Sequence, residues 1–119
     1  QAILSNSLLH HLHDPAVLWN CIKQYSAGGT LVFVMDLVRP ATRGDAHRLV
    51  NLYCENGPEM LRRDFYNSLC AAFLPAEVEA QLQESSLPEL TVKVISDRHW
   101  IAYGTRTHDI GALSESNAP

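Results

Sequence analysis

The chain has 119 residues, 46% of them hydrophobic and 18% charged, the composition of one globular domain and not of a disordered or fibrous segment. Thirteen acidic against nine basic side chains leave a formal charge of -4, which excludes broad electrostatic attachment to nucleic acid or to an anionic membrane surface. Cys21, Cys54 and Cys70 are odd in number and far apart, and no apolar run approaches the roughly 20 residues that span a bilayer, so a soluble protein of the reducing cytoplasm is expected, without disulfide framework, zinc knuckle or membrane span.

Residues Ala2 to Leu4 form a short apolar run that stops at the turn-prone Ser5-Asn6-Ser7, which reads as a strand. The chain opens at Gln1 within that unit and is expected to begin inside a larger structure. Asp14-Pro15 is a helix-opening signal, since aspartate caps orphan amides and proline fits the first turn. The helix runs to about Tyr25, with Val17, Leu18, Cys21, Ile22 and Tyr25 on one stripe and Gly28-Gly29 as its terminator. Thr30 to Met35 is a continuous β-prone run, the mark of a strand covered on both faces at the centre of a parallel sheet. Strand, helix and strand in this order make a right-handed crossover.

From Thr42 to about Phe73 the period is helical and broken at Gly57-Pro58 into two helices. Leu49, Val50, Tyr53 and Cys54 make one stripe, and Met60, Leu61, Phe65, Leu69 and Phe73 the other. Leu74-Pro75 opens a third helix with Val78 and Leu82 facing inward. Leu90 to Ile95 and Trp100 to Thr105 are strand-like and close enough for an antiparallel hairpin. Residues 1–106 therefore form the ordered domain, and 107–119, rich in Ser, Asn and Gly, a mobile tail.

The stretch Ile3-Leu4-Ser5-Asn6-Ser7-Leu8-Leu9-His10-His11-Leu12-His13-Asp14-Pro15, followed by Gly28-Gly29-Thr30-Leu31-Val32-Phe33-Val34-Met35-Asp36, closely resembles the fourth strand, following helix and fifth strand of class I S-adenosylmethionine-dependent methyltransferases. The match is strongest over residues 2 to 38, and the order of elements supports it to about residue 105. The resemblance implies an α/β fold: the carboxyl-terminal half of a Rossmann-like sheet, mostly parallel with one antiparallel strand, with helices on its faces and a helical insertion. The last strand is expected between the second and third. Ligands in such sheets lie at the carboxyl ends of the strands.

By that resemblance Ser5, Asn6 and Leu8 face the cofactor, S-adenosylmethionine, while His10 and Arg39 line the substrate side and His11 and Asp36 are the catalytic candidates. Imidazole is a chemically sensible general base near neutrality. A carboxylate ending a buried strand calls for solvent or a hydrogen-bond donor. The competing reading makes these residues packing and turn residues. No metal site is expected, because the adjacent His10, His11 and His13 do not converge on one tetrahedral ion. Arg39, Arg43, Arg48, Arg62 and Arg63 could draw an anionic substrate, but Asp45, Glu55, Glu59 and Asp64 interleave with them as on a solvated helical surface.

The family's acidic-Gly-x-Gly-x-Gly turn does not occur in these 119 residues, so weak or no cofactor binding, and no activity, is expected of this chain alone. The implied function is methyl transfer to a small-molecule acceptor that no residue specifies. The alternative is a non-catalytic interaction module that pairs through its open sheet edge, and a homodimer through the first-strand edge, with an interface of about 1,200 Å² or more, is the expected assembly.

Overall fold

The computed structural model describes residues 1–107, so the tail expected over 107–119 lies outside the described residues apart from Thr107. In chain order the elements are β1 (Ala2–Asn6), a 3-10 turn (Leu9–His11), α1 (Ala16–Tyr25), β2 (Leu31–Leu37), α2 (Arg43–Cys54), α3 (Glu59–Ala71), α4 (Pro75–Glu84), β3 (Thr91–Val94) and β4 (His99–Thr105). Each predicted element is present, with boundaries moved by one or two residues.

Local chemistry sets these limits. β1 stops because Ser7 turns left-handed at φ 61°, a conformation that costs an L-residue roughly 1–2 kcal/mol. The Ser7 amide still donates to Met35 O at 2.9 Å, closing the last rung beside β2. At the start of α1 the Ala16 amide donates to Asp14 Oδ1 at 3.0 Å, which is the capping role that Asp14-Pro15 advertises. Thr42 caps α2 through the Asp45 amide at 3.0 Å, and Pro75 opens α4 while the Leu74 amide donates to Glu77 Oε1 at 2.7 Å.

The four strands make one sheet in the order β1-β2-β4-β3, so the last strand does lie between the second and third. β1 pairs parallel with β2, and β4 pairs antiparallel with both β2 and β3. Three strands thus share one direction, yet only one of the three pairings is parallel. The expectation of a mostly parallel sheet is corrected on that count: the sheet is mixed, because inserting the reversed β4 turns both of its own pairings antiparallel.

Two cores form. Val32, Val34, Trp100 and Ala102 from the sheet pack against Leu18, Trp19 and Ile22 of α1 and Val78 and Leu82 of α4. A second cluster joins Leu37 to Ala46, Leu49 and Val50 of α2 and to Leu69 and Ala72 at the end of α3. In these helices the predicted stripes hold in part: Leu49, Val50 and Leu69 are buried, whereas Tyr53, Met60 and Leu61 are exposed.

The other sheet face is bare. Leu4, Phe33 and Tyr103 stand side by side across β1, β2 and β4, exposed to 77%, 38% and 39%, and Leu31 beside them to 57%. The reading of Thr30 to Met35 as covered on both faces is therefore wrong for this chain: β2 is central, but between Leu31 and Met35 only the alternate residues Val32 and Val34 are buried. The continuous apolar run reports a strand built for two covered faces of which the described residues cover one.

At the opposite end of β4, Arg106 donates to the Glu89 carboxylate and to Ser26 Oγ, and the Thr107 amide and hydroxyl donate to the same carboxylate. Burial pushes the Glu89 carboxyl up, but hydrogen bonds from the backbone and from Thr107, together with the Arg106 charge, outweigh it and hold the group below its ordinary 4.5. Burial first, and the Arg98 charge next, hold the half-buried His99 below its ordinary 6.5 against the opposing pull of Asp97 and Asp36. Both depressed values carry one sign: the contribution to stability is full above the unfolded pKa and is lost as pH falls through the folded one. Thermal melts should accordingly show stability declining below pH 6.5 and more steeply below 4.5. A melting temperature flat through both values would remove these two groups from the account.

Candidate functional site

The carboxyl ends of β1 and β2 lie side by side, with Asn6 opposite Met35, and the chain leaves both ends through segments that carry chemistry. From β1 it passes through the strained Ser7 into the 3-10 turn Leu9–His11. From β2 it passes Asp36 and Leu37 towards Arg39 and the cap of α2.

Asp36 is 1% exposed, and a carboxylate at that depth must be met by donors. It has three. Oδ2 accepts the His10 amide at 2.9 Å, and Oδ1 accepts His10 Nδ1–H at 2.6 Å and the Leu37 amide at 2.7 Å. In the neutral ring the contact to Asp36 places the hydrogen on Nδ1 and leaves Nε2 as an acceptor. The His10 side chain is 3% exposed, and its Nε2 is buried with no partner among the described residues.

Of the two catalytic candidates named from the sequence, Asp36 is joined to His10, the substrate-side candidate, and His11 is not among its partners. His11 is exposed, its ring centroid 4.0 Å from that of His10 and tilted by 41°. On a 3-10 turn successive side chains point about a third of a circle apart, so only one of two neighbouring histidines can enter the fold. The sequence signal that could have found the pair is the buried carboxylate itself, which needs a donor; the pattern did not say which histidine supplies it.

His10 and His11 line a cavity of about 540 Å³ with Asp64, Asn67, Ser68 and Ala71 of α3. Arg39, the other substrate-side candidate, is elsewhere: its guanidinium donates to Ala72 O at 3.2 Å and meets Glu77 at 3.1 Å. It borders a separate cavity of about 290 Å³ with Thr42, Arg43 and Cys70. The candidates for the substrate side are thus divided between two places.

Of the three cofactor candidates, Asn6 is exposed at the end of β1 and Leu8 on the loop after it, while Ser5 is half-buried, its Oγ without a partner among the described residues. Asn6 Oδ1 accepts the Ser7 hydroxyl at 3.0 Å. An exposed amide beside an exposed leucine suits one flank of a purine with its polar edge. A ribose diol needs more, because the carboxylate at the ends of these two strands, Asp36, already has both oxygens engaged. The described residues therefore fit S-adenosylmethionine in part only, and no step of a methyl transfer is derived through it.

Among the described residues no group of three or more His, Cys, Asp or Glu is placed to hold a metal ion, and no helix is long and apolar enough to cross a membrane. The three cysteines are unpaired. Comparison with protein-family models gives no match, and none of the curated proteins matches the chain.

Proposed function

We propose that the chain is the carboxyl-terminal half of a class I S-adenosylmethionine-dependent methyltransferase domain, Rossmann-like in its complete form, which transfers a methyl group to a small-molecule acceptor. The observation that carries this reading is the strand order β1-β2-β4-β3 with β4 alone reversed, the arrangement that the resemblance of residues 2 to 38 implies. The bare face and the unpaired outer edge of β1 support it as well, since the family's other half supplies a strand and helices there. Asn6, Ser5 and Leu8 at the end of β1 belong to the cofactor side, and His10, Asp36 and the cavity beneath α3 to the acceptor side. In the complete domain the cofactor supplies the methyl group; the residues present here orient the acceptor and hold its proton.

A second reading, a non-catalytic module that pairs through the β1 edge as a homodimer, draws on the same bare surface. A two-fold contact joining β1 to β1 closes the edge and leaves Leu31, Phe33 and Tyr103 uncovered, because strand pairing runs in the plane of the sheet. A partner that brings both a strand and a helical layer covers edge and face together. That asymmetry favours the methyltransferase half.

Calorimetry separates the readings. A polypeptide extended upstream in its reading frame through an acidic-Gly-x-Gly turn should bind S-adenosylmethionine in the micromolar range, and residues 1–119 alone weakly or not at all. A frame without that turn, together with a stable dimer of these 119 residues in sedimentation, would establish the second reading instead.

A further inference from the structure

We propose that the cavity between the Leu9–His11 turn and α3 binds a small neutral hydroxyl compound of phenolic or enolic type, whose O–H donates to His10 Nε2. The inference rests on the methyltransferase reading only in calling that hydroxyl the methyl acceptor; the ligand site stands on its own geometry.

Three observations converge on it. The first is the open acceptor: Asp36 takes the hydrogen on Nδ1 at 2.6 Å, so in the neutral ring Nε2 presents a lone pair, buried and unpartnered among the described residues. An acceptor left bare inside a protein is a standing cost, and a ligand that donates to it removes that cost. The second is space: His10 lines a cavity of about 540 Å³, within the span of small-molecule sites. The third is the rest of the wall, which combines Asn67 and Ser68 with Asp64 and the Ala71 methyl.

Charge and hydrogen-bond count select the ligand class. An anion would face Asp64 on the wall and Asp36 behind His10, and would bring no donor for Nε2. An ammonium group would be drawn to Asp64 on the wall, but it carries three donors to the single open acceptor of His10, and the buried Asp36 carboxylate already accepts three N–H groups. A neutral hydroxyl brings one donor to one open acceptor, and its remaining lone pairs suit the Asn67 amide and the Ser68 hydroxyl. Because Nε2 is buried as the ring stands, the proposal requires the exposed His11 ring, adjacent to His10, to swing aside as a flat ring enters.

Phenol is the probe, anisole its control without the O–H, and benzylamine its cationic counterpart. In long-range proton–nitrogen spectra of residues 1–119, phenol should move the His10 Nε2 resonance saturably, in the millimolar range proper to so small a ligand, while anisole and benzylamine leave it in place. Ser68→Trp fills the cavity from the α3 side without touching the dyad, and should weaken phenol by about tenfold or more with an unchanged melting temperature. A silent Nε2 resonance, an equal response to anisole, a preference for benzylamine, or phenol binding untouched by Ser68→Trp would each overturn the proposal. Cofactor binding by the extended polypeptide is a separate measurement, so a phenol site without it sinks the methyltransferase reading and leaves this site standing, and the converse result does the reverse.

Discussion

Val32→Asp should leave residues 1–119 unfolded at room temperature, while Phe33→Asp, one position along the same strand, should leave them folded. Val32 is 2% exposed among the side chains of α1 and α4. A carboxylate there finds no donor and no water, at several kcal/mol, against a total stability of about 5–15 kcal/mol for a domain of ordinary size. Phe33 lies on the bare face beside Tyr103. Its aspartate reaches solvent, and the loss is one cross-strand pair and part of a buried ring, about 1–2 kcal/mol. Circular dichroism melts of the two variants decide the matter. Equal damage from both would mean that the Phe33 face is covered after all, and tolerance of both would mean that the sheet is not the core of the fold.

That contrast marks what was legible in the sequence and what was not. Turn and cap signals are local, so Asp14-Pro15 and Leu74-Pro75 could be read from the chain, and each opens the helix it announces. The alternation of burial from Leu31 to Met35 could not, because Leu31, Phe33 and Met35 are as apolar as Val32 and Val34; the pattern records the surfaces a strand is made for and not which of them the described residues cover. The same limit applies at Met60 and Leu61, apolar and helical in period yet exposed. At the site, the chemistry of a buried Asp36 was evident and its partner was not: the choice of His10 over His11 depends on the phase of one 3-10 turn, which no periodicity over three residues can fix. The division of His10 and Arg39 between two cavities follows from where α3 and α4 run, a matter of long-range packing.

Asp36→Asn is expected to be among the most damaging near-isosteric changes available in the described residues. The carboxylate accepts three N–H groups, two on Oδ1 and one on Oδ2. An amide keeps one oxygen and turns the other position into a donor, so whichever way it is placed, at least one buried N–H faces another N–H. Breaking a buried, charge-assisted network from one side costs about 3–5 kcal/mol, which for a domain of about this length lowers the melting temperature by roughly 12 °C or more. The damage should also have an address. The His10 amide and ring are what tie the Leu9–His11 turn to β2, so hydrogen exchange at the His10 and Leu37 amides should accelerate before exchange at Val32 and Val34, and the Nδ1-protonated ring of His10 should give way to a mixture of tautomers. Restoring acidity without the original geometry, by Asp36→Glu, should recover little, since an added methylene pushes the carboxylate past donors placed at 2.6 to 2.9 Å. A variant that melts within a few degrees of the parent and keeps slow exchange at His10 would show that the turn is held by Leu9 and its apolar neighbours alone, and the dyad would lose its part in the site.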